Sequence, residues 1–118
     1  MVRAEFFTNK ESRSITLKLT GHAGQAEQGK DIVCAAASIL AYTVAQVLQF
    51  MYEQGDLQKK PHLKLAEGDT VIIAKPKPES YDEALHTFFV AQAGYHLLQH
   101  NYPQYVTLSS FGDSDSDA

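Results

Sequence analysis

Ser14-Ile15-Thr16-Leu17-Lys18-Leu19-Thr20 and, eleven positions later, Asp31-Ile32-Val33-Cys34-Ala35-Ala36-Ala37-Ser38-Ile39-Leu40 decide the fold class, because the apolar period changes between them. In the first stretch Ile15, Leu17 and Leu19 alternate with polar residues, the period of a half-buried strand. In the second, Ile32, Ala36, Ile39, Leu40, Thr43, Val44, Val47, Leu48 and Met51 recur at spacings of three and four, which predicts a helix over residues 31–52 with that set facing the core. Asp31 is placed to cap its start and Gly55 to stop it. Between strand and helix, residues 21–30 carry Gly21, Gly24 and Gly29 and no large apolar side chain. Such a segment offers nothing to a core, so it reads as a mobile surface loop, longer than a turn requires.

Outward from this junction the same reading continues. Residues 2–8 alternate with Val2, Ala4 and Phe6 on one face, and a polar link at residues 9–12 joins them to the Ser14 strand as a hairpin. Leu63 and Leu65, then Glu67-Gly68-Asp69, then Thr70-Val71-Ile72-Ile73-Ala74 predict a second hairpin with glycine in its turn. Ser80-Tyr81-Asp82-Glu83 has the form of a capping box opening a helix to about residue 100, with Leu85, Phe88, Phe89, Ala93 and Leu97 buried. Pro103 ends it, and residues 105–109 form a last strand. The expected fold is α+β, in the order strand-strand-helix-strand-strand-helix-strand, with an antiparallel or mixed sheet packed by two long helices. Residues 1–111 are expected to form one domain, and the Asp/Ser-rich residues 112–118 a disordered acidic tail.

Composition narrows the function. The chain has 118 residues, 44% of them hydrophobic, and a net charge of −4, so it has no bulk attraction for nucleic acid. Charge at Arg3 and Glu5 interrupts the place of a signal-peptide apolar region. The apolar run at residues 32–48 contains Cys34, Ser38, Thr43 and Gln46 and reads as a buried helix, not a membrane span. One cysteine excludes an internal disulfide and suits a reducing cytoplasm.

Cys34 in the first turn of the expected helix would have unpaired amides and the helix dipole to favour a thiolate. His22 is the nearest imidazole in sequence, and the intervening loop is long enough to return it to the sulfur, the nucleophile–base pairing that covalent catalysis needs. Asp31, Cys34 and Ser38 share a helix face, and Ala35, Ala36 and Ala37 leave room for a peptide. On spacing alone a buried structural cysteine, an ordinary loop histidine and a plain helix cap are the stronger readings.

The pattern itself carries more. Gly21-His22-Ala23, then Gly29-x-Asp31-x-Val33-Cys34-Ala35-x-x-Ser38, resembles the ribosomal-processing cysteine protease family called Prp, and the order of elements agrees over residues 2–110. The resemblance implies a small, dimeric, cytoplasmic protease. Its substrate would be an N-terminal extension of the large-subunit ribosomal protein numbered twenty-seven, an extension rich in apolar and aromatic residues before the cut. It implies a dyad of His22 and Cys34, supporting roles for Asp31 and Ser38, and a substrate loop bearing Gly21, Ala23, Gly24 and Gly29. It implies no cofactor, no metal, no membrane and no direct nucleic-acid partner.

Three rival readings stand beside it. A non-enzymatic ribosome-associated or RNA-binding protein would use Lys59, Lys60 and His62 with Lys75 and Lys77, although lysines near turns are usually just solvated. A redox sensor would use Cys34 without a resolving cysteine. A zinc site would need a third ligand that His62, His86, His96 and His100 do not supply by spacing.

Overall fold

The computed structural model describes residues 1–21 and 30–112, with the backbone alone at residues 30 and 31. The chain runs β1 (Val2–Asn9), β2 (Ser14–Thr20), α1 (Lys30–Glu53), β3 (His62–Ala66), β4 (Asp69–Ala74), a short 3-10 turn (Pro78–Ser80), α2 (Tyr81–Asn101) and β5 (Val106–Ser109). This is the expected α+β order.

The five strands form one sheet in the order β3-β4-β2-β1-β5. All neighbours are antiparallel except β1 and β5, which run parallel, so the sheet is mixed. Registers such as Phe6 opposite Leu17 and Leu17 opposite Ile72 put every apolar alternation on one face. That face, with Val2, Ala4, Phe6, Ile15, Leu17, Leu19, Ile72 and Ala74 all buried, carries the core. The hairpin turn at residues 67 and 68 closes with Gly68 at φ +74°, the left-handed backbone glycine adopts without a Cβ penalty.

Helix α1 is long and apolar enough to cross a membrane by length and composition. Its inner face is nevertheless built into the core through Val33, Ala37, Ala41, Val44, Ala45, Leu48 and Met51. The expected stripe holds at Val44, Leu48 and Met51, but Ile32, Ile39 and Thr43 are exposed, while the small residues Ala37, Ala41 and Ala45 face inward. Small residues let the helices approach closely, and a Cβ on Gly94 of α2 would come within 2.7 Å of the Leu40 side chain. The stop at Gly55 holds: Gly55 N–H donates to Tyr52 O at 3.0 Å and Asp56 N–H to Met51 O at 2.9 Å, a Schellman closure.

In α2 the buried set is Ala84, Phe88, Ala91 and Tyr95, so Phe88 fits the expectation whereas Phe89 and Leu97 are exposed and Ala93 also faces outward. The expected capping box does not form. Ser80 makes no side-chain cap, because the 3-10 turn already supplies backbone bonds, Ser80 N–H to Lys77 O and Tyr81 N–H to Pro78 O. The chain end closes the core: Phe111 packs on Phe6 and Phe89 at centroid distances of 5.4 and 5.1 Å. The acidic tail expected at residues 112–118 lies, from 113 onward, outside the described residues.

Candidate active site

The sheet ends in a groove where the start of α1 passes over it. The N-terminal ends of β1 and β4 and the C-terminal end of β2 contribute Val2, Thr70 and Leu19 as a floor that is apolar at Val2 and Leu19, and α1 contributes Cys34, Ser38 and Tyr42 at four-residue spacing as one wall. Gly21, Glu67 and Gly68 form the rim, and the groove holds about 300 Å³. Cys34 is half-buried, with one side packed on the core and the other lining the groove. Its neighbours Ala35 and Ala37 are small, so an extended chain can approach the thiol without displacing a large side chain.

Two devices hold this corner. Gly21 has φ +86°, and its N–H donates to Gly68 O at 3.1 Å, tying the end of β2 to the β3–β4 turn. A Cβ there would overlap the Met1 carbonyl oxygen, so only glycine fits. Gly21, expected as the first residue of a substrate loop, is bonded here to the β3–β4 turn. On the far side of α1, the buried Tyr95 hydroxyl donates to Ala37 O at 2.7 Å. That bond lies between Cys34 and Ser38 in sequence and fixes the helix that carries both. Burial raises the Tyr95 pKa well above the ordinary tyrosine range, so the phenol stays a donor.

Cys34 and Ser38 are therefore brought to one groove. His22, Ala23, Gly24 and Gly29 lie outside the described residues. Asp31 is already helical, so it lies within α1 and is not its cap. With Lys30 helical, Cys34 is at least the fifth helical residue, one turn in, where its own amide has a helical acceptor. The free amides of the first turn thus sit one turn before the sulfur, not around it. Sequence reasoning missed Val2, Leu19, Tyr42, Glu67, Gly68 and Thr70. Only Tyr42 left a local signal, two turns beyond Cys34; the others come from strands remote in sequence.

The model of the family described as cysteine protease Prp matches residues 1–107. The chain belongs to the Prp family of cysteine proteases. It is thus a hydrolase of peptide bonds, and the non-enzymatic reading falls away. A crystal structure of the essential ribosomal processing protease Prp from Staphylococcus aureus with a substrate peptide is similar in fold, with TM-score 0.67 and 18% identity over 94% of this chain and 99% of that one. The same protease with a covalently linked product peptide gives TM-score 0.64 and 20% identity over the same shares, 94% and 99%. The protein SMU.848 from Streptococcus mutans gives TM-score 0.67 and 27% identity over 92% of each chain. No curated protein matches the chain. Among the described residues, no group of three or more His, Cys, Asp or Glu side chains is placed to hold a metal ion.

Proposed function

We propose that this protease removes the N-terminal extension of the large-subunit ribosomal protein numbered twenty-seven during ribosome assembly, with Cys34 as nucleophile and His22 as general base. The observation that carries the reading is that the only cysteine of the chain lines an open groove whose rim is Gly21, the residue that immediately precedes His22. A family that cleaves through a thiol leaves this chain one thiol to use. The apolar floor of Val2 and Leu19 suits a substrate with apolar side chains next to the cut. The Staphylococcus aureus relative, a ribosomal processing protease that binds a substrate peptide, supports the substrate class.

In this mechanism His22 takes the thiol proton and the Cys34 sulfur attacks the scissile carbonyl carbon. A C–S bond forms, and the carbonyl electrons move to oxygen. Collapse expels the amine, which takes the proton from His22, and water then hydrolyses the thioester to free the carboxylate and the thiol. Ser38, one turn past Cys34 in the same wall, and Asp31, at the helix start, support the site.

The protease acts in the cytoplasm as a homodimer of domains spanning residues 1–111. Its exposed apolar side chains, Ile32, Ile39, Tyr42 and Phe50 on α1 and Phe89, Val90 and Leu97 on α2, supply the surplus apolar surface a two-fold interface needs.

Incubation with a peptide spanning the extension and cut site, read by mass spectrometry, tests the assignment. Wild type should yield two fragments and a transient acyl-enzyme. Cys34→Ala should yield neither while keeping its circular dichroism spectrum. Cleavage at the wild-type rate by Cys34→Ala would refute the nucleophile, and an uncut peptide with wild type would refute the substrate.

A further inference from the structure

The end of the sheet opposite the cysteine groove collects the basic charge of an acidic protein. Six of the ten Lys and Arg residues, Lys10, Arg13, Lys59, Lys60, Lys75 and Lys77, lie at this end, about 20 Å of strand away from Cys34. Backbone pairing brings them together from separate parts of the chain. Leu57 bridges Pro76, Gln58 N–H donates to Lys75 O at 2.8 Å, and Lys77 N–H donates to Asp56 O at 3.0 Å. The Gln58 side-chain amide adds a bond to Pro76 O at 3.0 Å. Lys59 and Lys60 are thereby held beside Lys75.

A concavity of about 370 Å³ opens there, lined by Lys59, Lys60, His62, Lys75 and the hydroxyls of Ser12 and Ser14, with Ile73 at its base. The two serine hydroxyls share one hydrogen bond of 2.8 Å, which uses one of their two protons and leaves the other to donate. Among the described residues none of these three lysines has a carboxylate partner, although Glu11, Asp56 and Glu79 are nearby in the chain. Lys64, by contrast, is neutralised by Asp69 at 2.6 Å.

We infer that this concavity binds the phosphate backbone of single-stranded RNA, independently of the peptide groove. The cluster of three ammonium groups and a hydroxyl donor suits phosphate oxygens, which accept point donors in no fixed plane. The exposed imidazole of His62 offers a face on which an unpaired base can stack, which a duplex does not present. In the sequence these residues form only a rival basic patch that ordinary solvation outweighs, and no direct nucleic-acid partner is expected; the pairing of residues 56–58 with 75–77 is what builds the site.

Fluorescence anisotropy with a short mixed-sequence oligoribonucleotide tests this on the full chain. Three neutralised phosphates on a single strand predict that Kd weakens about 20-fold between about 50 and about 200 mM salt. The Lys59→Gln/Lys60→Gln variant should bind weakly, with a residual salt effect of about threefold. His62→Ala should lose about tenfold, the scale of one base stack. Both variants should cleave the peptide at the wild-type rate. Absence of binding at about 50 mM salt, undiminished binding by the double lysine variant, or equal displacement by polyglutamate at matched charge would overturn the inference.

Discussion

Gly21→Ala adds one methyl group at the corner where the sheet end meets the groove, and the structure allows its effect to be worked out in parts. Gly21 sits at φ +86°, and a left-handed backbone costs an L-residue about 1–2 kcal/mol. The new Cβ would also overlap the Met1 carbonyl oxygen and approach Val2 Cα to 3.7 Å. Neither neighbour is a flexible side-chain end. Retreat is opposed because Val2 N–H donates to Tyr105 O at 2.8 Å and β1 is paired on both sides. Overpacking of this kind costs about 1–3 kcal/mol. The sum is about 2–5 kcal/mol, a large part of a typical domain's 5–15 kcal/mol, roughly. Urea unfolding followed by far-ultraviolet circular dichroism, extrapolated linearly, measures it. Repeating the substitution in protein lacking Met1 separates the parts: the overlap disappears and the backbone penalty of about 1–2 kcal/mol remains. A loss below about 1 kcal/mol in the full chain, or the same loss with and without Met1, would refute the reasoning.

Two further outcomes follow from the helices. Tyr95→Phe removes the donor to Ala37 O, whose helical partner persists, so stability should fall by only about 1 kcal/mol. Because burial raises the Tyr95 pKa, the folded chain keeps a proton that the unfolded chain releases near pH 10, roughly; the contribution is complete below that pH and is lost as pH rises beyond it. Wild type should therefore lose up to about 1.4 kcal/mol per pH unit in the alkaline range, and Tyr95→Phe should show a shallower decline. Ile39→Glu places a charge within the exposed apolar stripe of α1 and should yield a folded monomer by light scattering, with monomeric wild type refuting the dimer.

The order of elements along the chain, both hairpins and both helices were legible because each rests on local periodicity or on a single turn residue, as at Gly68 and Gly55, whereas the strand order within the sheet was not. The buried faces of the helices were not. Helix α1 is apolar nearly all round, so Ile32 and Ile39 compete with Val33 and Ala37 for the inward position, and local pattern cannot choose. Close packing against α2 chooses, favouring alanine where Gly94 meets Leu40. The same holds for Phe89 and Leu97, whose bulk suggests burial while Ala84 and Ala91 take the inner positions. For the site, Cys34 and Ser38 were legible from the motif around them. Its floor was not, because Val2, Leu19 and Thr70 meet only through the registers of three strands.

On the proposed role of Cys34, the consequence for catalysis is that the thiol is positioned mainly by the packing of α1 on the core behind it. Because the helix is already formed at Lys30, the sulfur lies beyond the first turn, so the free amides of that turn are less immediate to it than the sequence implies. What holds the sulfur's location is the far face of α1: Val33 and Ala37 pack on the core on either side of it in sequence, and Tyr95 grips the Ala37 carbonyl. The rim is held separately, by the Gly21–Gly68 backbone bond. Thiol and rim are thus fixed by independent contacts. A perturbation at Tyr95 should change the placement of Cys34 without loosening Gly21, and one at Gly21 should disturb the groove rim, and with it the proposed general base, while Cys34 keeps its packing. Alkylation of Cys34 compared with peptide cleavage in the two variants separates these effects, since alkylation needs the placed thiol alone and cleavage needs both.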